Sequence, residues 1–137
     1  MILNMISGNG GTPVTGTPTI YRKTTYVSTT RTSATEISFS GLDVGADETL
    51  VGFLLAHQGT VGTASTDLNT AHVYQNGSSW DIYAPMTYDG GLIITQLAAN
   101  QTSFVPSGST GGTLTTTTGW TFLEGTYRVY PVVAKVE

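Results

Sequence analysis

Ala71-His72-Val73-Tyr74-Gln75-Asn76-Gly77-Ser78-Ser79-Trp80-Asp81-Ile82-Tyr83-Ala84 is the stretch on which the fold assignment turns. Two runs rich in aromatic and β-branched residues, 71–75 and 80–84, flank Asn76-Gly77-Ser78-Ser79. Asn and Gly both tolerate positive φ, so this spacing predicts an antiparallel hairpin. Upstream, Thr49–His57 is apolar on both faces, the pattern of a central strand covered on either side. Its interior Gly52 and short length argue against a helix. Ala34–Ser40 alternates, with Ile37 and Phe39 on one face and Glu36, Ser38 and Ser40 on the other. A first strand is expected over residues 19–30, after Thr17-Pro18.

Downstream the same alternation of strand and turn continues. Asp89-Gly90-Gly91 is a turn, followed by strands over 92–98 and 102–105, the second closed by Pro106. Gly59–Asn69 and Ser107–Gly112 are expected as flexible loops, and 114–118 as an edge strand. The final strand, 126–136, contains Pro131, which cannot donate to a ladder and is expected at an edge or bulge. Eight or nine strands and no helix predict an all-β, antiparallel β-sandwich of the jelly-roll or immunoglobulin-like kind, with a small barrel as the second choice. This domain covers 19–137. Residues 1–18 form an extended N-terminal arm with a glycine-rich link, Ser7-Gly8-Asn9-Gly10-Gly11.

Composition narrows the function. The chain has 137 residues, one domain's worth, and 39% are hydrophobic, enough to fill a core. Charged residues make up 10%, against a usual ~25%. Threonine is about a fifth of the chain; it is β-branched, suits a pleated strand and hydrates well. Such a surface carries little electrostatic field and is commoner in extracellular, adhesive and virion-surface proteins than in metabolic enzymes. The net charge is −4, and the five cations, Arg22, Lys23, Arg31, Arg128 and Lys135, are too few for a phosphate-binding stripe. Nucleic acid is therefore not expected as a partner. With no cysteine, disulfides and thiolate metal sites are excluded. The apolar start Met1-Ile2-Leu3-Asn4-Met5-Ile6 lacks a basic region and is not expected to be a signal peptide, nor is membrane insertion expected. A soluble product made in a cytoplasm is the expectation.

Motifs for chemistry are sparse. His57 and His72 lack the spacing of a metal site, and Asp43, Asp47 and Glu48 lack that of a calcium loop; a solvated acidic turn is expected there. The nucleophile-elbow and phosphate-loop patterns are absent, so no catalytic residue, metal or cofactor is assigned. Asn76-Gly77-Ser78 and Asn100-Gln101-Thr102 match the glycosylation acceptor but are expected simply as turns. Trp80, Tyr83 and Trp120 are the candidates for contact with a glycan, since a sugar's apolar face stacks on exposed aromatic rings.

Three segments carry a resemblance. Met1-Ile2-Leu3-Asn4-Met5 followed by Ser7-Gly8-Asn9-Gly10-Gly11, the unit Ile37-Ser38-Phe39-Ser40-Gly41-Leu42, and the closing Gly125-Thr126-Tyr127-Arg128-Val129-Tyr130 resemble parts of small virion structural proteins of tailed bacteriophages. These short motifs cover about a fifth of the chain. The resemblance implies a non-enzymatic capsid decoration, head fibre or tail component, made in the host cytoplasm and residing on the virion. It implies other virion subunits as partners, a homo-oligomer such as a trimer, and Ile2, Leu3, Met5 and Ile6 as an assembly anchor. The alternative expectation is a carbohydrate-binding or host-adhesion module recognising a surface glycan.

Overall fold

The computed structural model describes residues 17–59, 67–88, 91–117 and 120–136, with the backbone alone at 67, 86–88 and 91–93. Of the expected N-terminal arm, residues 1–16 lie outside the described residues, the expected anchor residues Ile2, Leu3, Met5 and Ile6 among them, whereas Pro18 already belongs to the domain as the first residue of β1. The strands are β1 (Pro18–Arg22), β2 (Val27–Ser33), β3 (Glu36–Phe39), β4 (Glu48–His57), β5 (Asp67–Leu68), β6 (Thr70–Asn76), β7 (Ser79–Tyr88), β8 (Gly91–Leu97), β9 (Thr102–Ser107), β10 (Gly111–Thr116), β11 (Thr121–Phe122) and β12 (Thr126–Val136). Ten of them form one antiparallel sheet in the order β8-β7-β6-β4-β12-β2-β3-β10-β9, with β1 also on β12. The short β5 and β11 pair in parallel.

The all-β antiparallel class is as expected, but the layers are not two separately bonded sheets. Hydrogen bonding runs unbroken through β12 into β2, and the sheet curls into a nearly closed barrel. Its two ends approach where Trp80 of β7 stands edge-on to Phe104 of β9 at 4.9 Å. Inside, Phe53 of β4 meets Phe39 of β3 and Phe104 of β9, each at 4.8 Å between ring centroids, and the latter two stack at 5.9 Å. Aromatic pairs at these separations contribute about 0.5–1.5 kcal/mol beyond their buried area. Ile37, Leu55, Val73, Leu114, Phe122 and Val129 complete this core.

β12 carries the architecture. One edge pairs with β4 along nearly its whole length. The other is shared, with β2 on Thr126–Val129 and β1 on Val132–Val136. The single strand expected over 19–30 is therefore two strands, because the chain changes position along β12 between them. Pro131 sits at that changeover, inside the sheet and opposite Phe53. Its carbonyl accepts the amide of Lys23 (2.9 Å). A strand residue's N and O point to the same edge, so the missing N–H faces the gap between β1 and β2, where no ladder bond is due. A register shift follows at once: Val132 opposes Gly52 and Val133 opposes Leu50, leaving Val51 as the extra residue of a bulge. Val51, Val132 and Ala134 form a second buried cluster. By strand alternation Val132 and Ala134 face away from Tyr127 and Val129, so β12 is buried on both faces.

The predicted hairpin is present as β6 and β7, closing on Gly77-Ser78 with Asn76 opposite Ser79 and Gly77 at φ 63°. The segment expected as an edge strand at 114–118 is instead β10, flanked by β3 and β9 and starting three residues earlier. Its Gly111 and Gly112 were expected in a flexible loop. They are strand glycines because a Cβ would lie 2.7 Å from Ser40 Cα at the first and 2.6 Å from Val105 O at the second. Only there can β10 approach its neighbours that closely.

The start of β12 is tied down by the fully buried Tyr127, whose hydroxyl donates to Leu123 O (2.7 Å) and lies 3.2 Å from Leu68 O. This contact with a carbonyl four residues upstream is the tyrosine-corner arrangement of many β-domains. It links β12 to the β5–β11 pair. Tyr127→Phe is expected to lower unfolding free energy by about 1–2 kcal/mol without changing the fold, measured by urea unfolding with an unchanged slope.

Candidate functional site

The β6–β7 hairpin places Trp80 opposite Gln75 and Asp81 opposite Tyr74. β8 returns beside β7 with Leu97 opposite Ile82. The chain then turns tightly through 98–101, where Gln101 N donates to Ala98 O (2.8 Å) and Ala98 N donates to Gln101 Oε1 (2.9 Å). β9 starts at Thr102 and crosses back toward β7. Because the sheet stops short of closing there, a cleft of about 510 Å³ opens along the seam. That volume lies in the usual range for small-molecule sites.

Trp80 and Phe104 give the cleft aromatic surface, and Leu97 adds an aliphatic patch. Its polar groups are Ser79, Asp81, Gln96, Thr102 and Ser103, with Ser78 at the hairpin turn. Asn76 Nδ2 donates to Asp81 Oδ2 (3.2 Å), orienting the carboxylate while leaving it acceptor capacity. Thr102 is only 3% exposed and its hydroxyl, like His57 Nδ1, has no hydrogen-bond partner among the described residues. A buried unsatisfied hydroxyl costs about 1–3 kcal/mol. A smaller hollow of about 280 Å³, lined by Leu50, Gln75 and Pro106 among others, also borders Trp80.

The three aromatic candidates do not converge. Trp80 lines the cleft. Tyr83 lies on the opposite face of β7, in an outer row with Tyr74 (6.3 Å), which in turn stacks near His72 (6.5 Å). Trp120 packs partly buried against the core, its carbonyl accepting from Thr116 Oγ1 (2.9 Å). The groups that join Trp80 instead come from β8, β9 and the turn between them. Only the adjacent Asp81 could have been picked out with Trp80 from the sequence.

The remaining polar candidates are engaged elsewhere. His57 Nε2 lies 2.6 Å from Glu124 O, and the ring packs edge-on to Tyr127 at 4.9 Å. Gly125, at φ 120°, leaves room for it, since a Cβ there would sit 2.7 Å from Nε2. Among the described residues no three metal-ligating side chains come together. The acidic turn is a fastening as well as a solvated loop: Asp43 and Asp47 stay more than half exposed, and Glu48 is covered. Glu48, its side chain only 8% exposed, accepts from Tyr21 Oη and Gly45 N and pairs with Lys23, which also meets Asp43 (3.3 Å). Asp47 pairs with Lys135 (3.3 Å) and Arg31 with Glu124 (2.8 Å). Arg22 and Arg128 stand over the rings of Tyr130 (5.5 Å) and Tyr26 (4.4 Å). All five cations thus have partners within the domain, none of them at the cleft.

Comparison of the chain with known protein families, curated proteins and solved structures finds no match.

The bonds from Lys23, Tyr21 and Gly45 hold the Glu48 carboxyl at about 2, below its ordinary 4.5. Its folded pKa is depressed, so its contribution is complete above about 4.5 and is lost as pH falls toward 2. Unfolding midpoints followed from pH 6 down to about 2 are therefore expected to fall across this window in the wild type. In Glu48→Gln they start lower and fall less steeply.

Proposed function

We propose that the chain is a non-enzymatic structural protein displayed on the particle surface of a tailed bacteriophage, as a capsid decoration, head fibre or tail component. It is held to other virion subunits by its N-terminal arm and associates with copies of itself. The observation that carries this reading is the disposition of charge. The few cations are spent on internal contacts with Glu48, Asp43, Asp47, Glu124 and two tyrosines. Across β2, β3 and β10 the outer face carries hydroxyls: Thr29 Oγ1 donates to Ser38 O (2.8 Å) and Ser38 Oγ bonds Thr113 Oγ1 (2.9 Å). A surface of this kind suits dense repeated display, because neighbouring copies neither repel strongly nor recruit nucleic acid. Within the same reading the curled sheet is a continuous variant of the jelly-roll or immunoglobulin-like sandwich, which the corner at Tyr127 supports.

Self-association is supported by the sheet's unequal ends. β9 carries Pro106, which blunts its edge. β8, at the other end, is Gly-Leu-Ile-Ile-Thr-Gln-Leu, without a charge or a proline, and Ile94 is 62% exposed. An open apolar edge of this type pairs with another chain unless something covers it. Ile94→Lys is expected to shift the protein to monomer in light scattering after gel filtration, while the circular dichroism spectrum stays unchanged. For the anchor, deleting residues 2–6 should abolish incorporation into particles and leave the isolated domain folded. Full incorporation of the deletion would sink the anchor role. Each buried apolar side chain there contributes up to about 1.5–3 kcal/mol.

A further inference from the structure

We propose that the seam cleft between β7 and β9 is a binding site for a neutral pyranoside, a function separate from display on a particle. Four observations converge on this ligand class. The cleft's size admits one or two sugar rings, and its lining alternates aromatic surface with hydroxyl, amide and carboxylate groups. Trp80 offers an apolar face against which the C–H side of a pyranose packs. Asp81, Gln96 and Ser103, which by strand alternation face away from Trp80, give the cleft a polar rim that can exchange hydrogen bonds with ring hydroxyls. No cation lines the cleft, and its one carboxylate disfavours anions.

A further observation is the hydroxyl of Thr102. It is buried in the cleft wall with no partner among the described residues, although its neighbour across the ladder, Thr116, does bond, to Trp120 O. Valine would fill the same volume without the penalty of an unsatisfied hydroxyl, and it suits a strand equally well. A buried hydroxyl with no partner among the described residues calls for one from outside them, a water or a ligand group. A sugar hydroxyl is the partner of matching chemistry.

Thr102→Val separates a binding role from a packing one. The test uses the full chain, labelled with 15N and titrated with the methyl glycosides of glucose, galactose, mannose and N-acetylglucosamine. Shifts of the Trp80 indole and of amides at 79–82, 96–99 and 102–104 report occupancy. At least one neutral glycoside is expected to produce saturable shifts confined to these residues. Thr102→Val should then weaken its affinity by about 5- to 10-fold while raising Tm by about 2–5 °C. Asp81→Asn should weaken it by about 10-fold. Trp80→Ala should abolish it, with the first two variants deciding the matter where loss of the Phe104 contact harms folding. The corresponding methyl glucuronide should bind more weakly than the neutral sugar. The proposal is overturned if no neutral glycoside perturbs these resonances up to about 20 mM, well past the weak-binding range near ~1 mM. It is overturned equally if choline does so and the sugars do not, or if Thr102→Val leaves affinity unchanged.

Discussion

β12 has to satisfy backbone hydrogen bonds along both edges and bury apolar side chains on both faces. The rest of the structure is arranged around that demand. No single neighbour of ordinary length covers its second edge, so β1 and β2 divide it, and the proline falls where they meet. A strand that is bonded to β4 on one side and to β2 on the other joins what would otherwise be two sheets into one. Once joined, the sheet can bury its inner face only by curling. The three phenylalanines from β3, β4 and β9 then come together from strands far apart in its order.

The curl leaves its trace at the seam. A sheet whose last strand meets another by side-chain contact, Trp80 on Phe104, retains a gap where ladder bonds would otherwise run. The cleft is that gap, and its lining comes from a hairpin, a strand end and a tight turn that share no local pattern.

Local chemistry was legible in the sequence, and long-range closure was not. The Asn76-Gly77 hairpin, the alternation around Ile37 and Phe39, and the doubly apolar run that became β4 all follow from period and turn residues within a few positions. Gly111 and Gly112 misled because glycine marks both a flexible loop and a close backbone approach, and only the neighbours decide which. Pro131 was expected at an edge or bulge, and it occupies a gap inside the sheet that performs the same office. The acidic turn looked merely solvated because its cation, Lys23, and its phenol, Tyr21, lie some twenty residues away in β1 and just after it. For the cleft, Trp80 was visible as a candidate, whereas Gln96, Thr102 and Ser103 gain meaning only when β9 reaches β7.

The fastening of β1 has a mechanical meaning. β1 lies on one half of one edge of β12, through five residue pairs that begin with Pro18 opposite Val136. A pull applied to the chain at Pro18 would run the length of β1 before reaching Lys23. There the ion pairs to Glu48 and Asp43, together with the Lys23–Pro131 amide bond, act as a rivet where strand meets body. Acid, which protonates Glu48 as pH falls toward about 2, would weaken that joint.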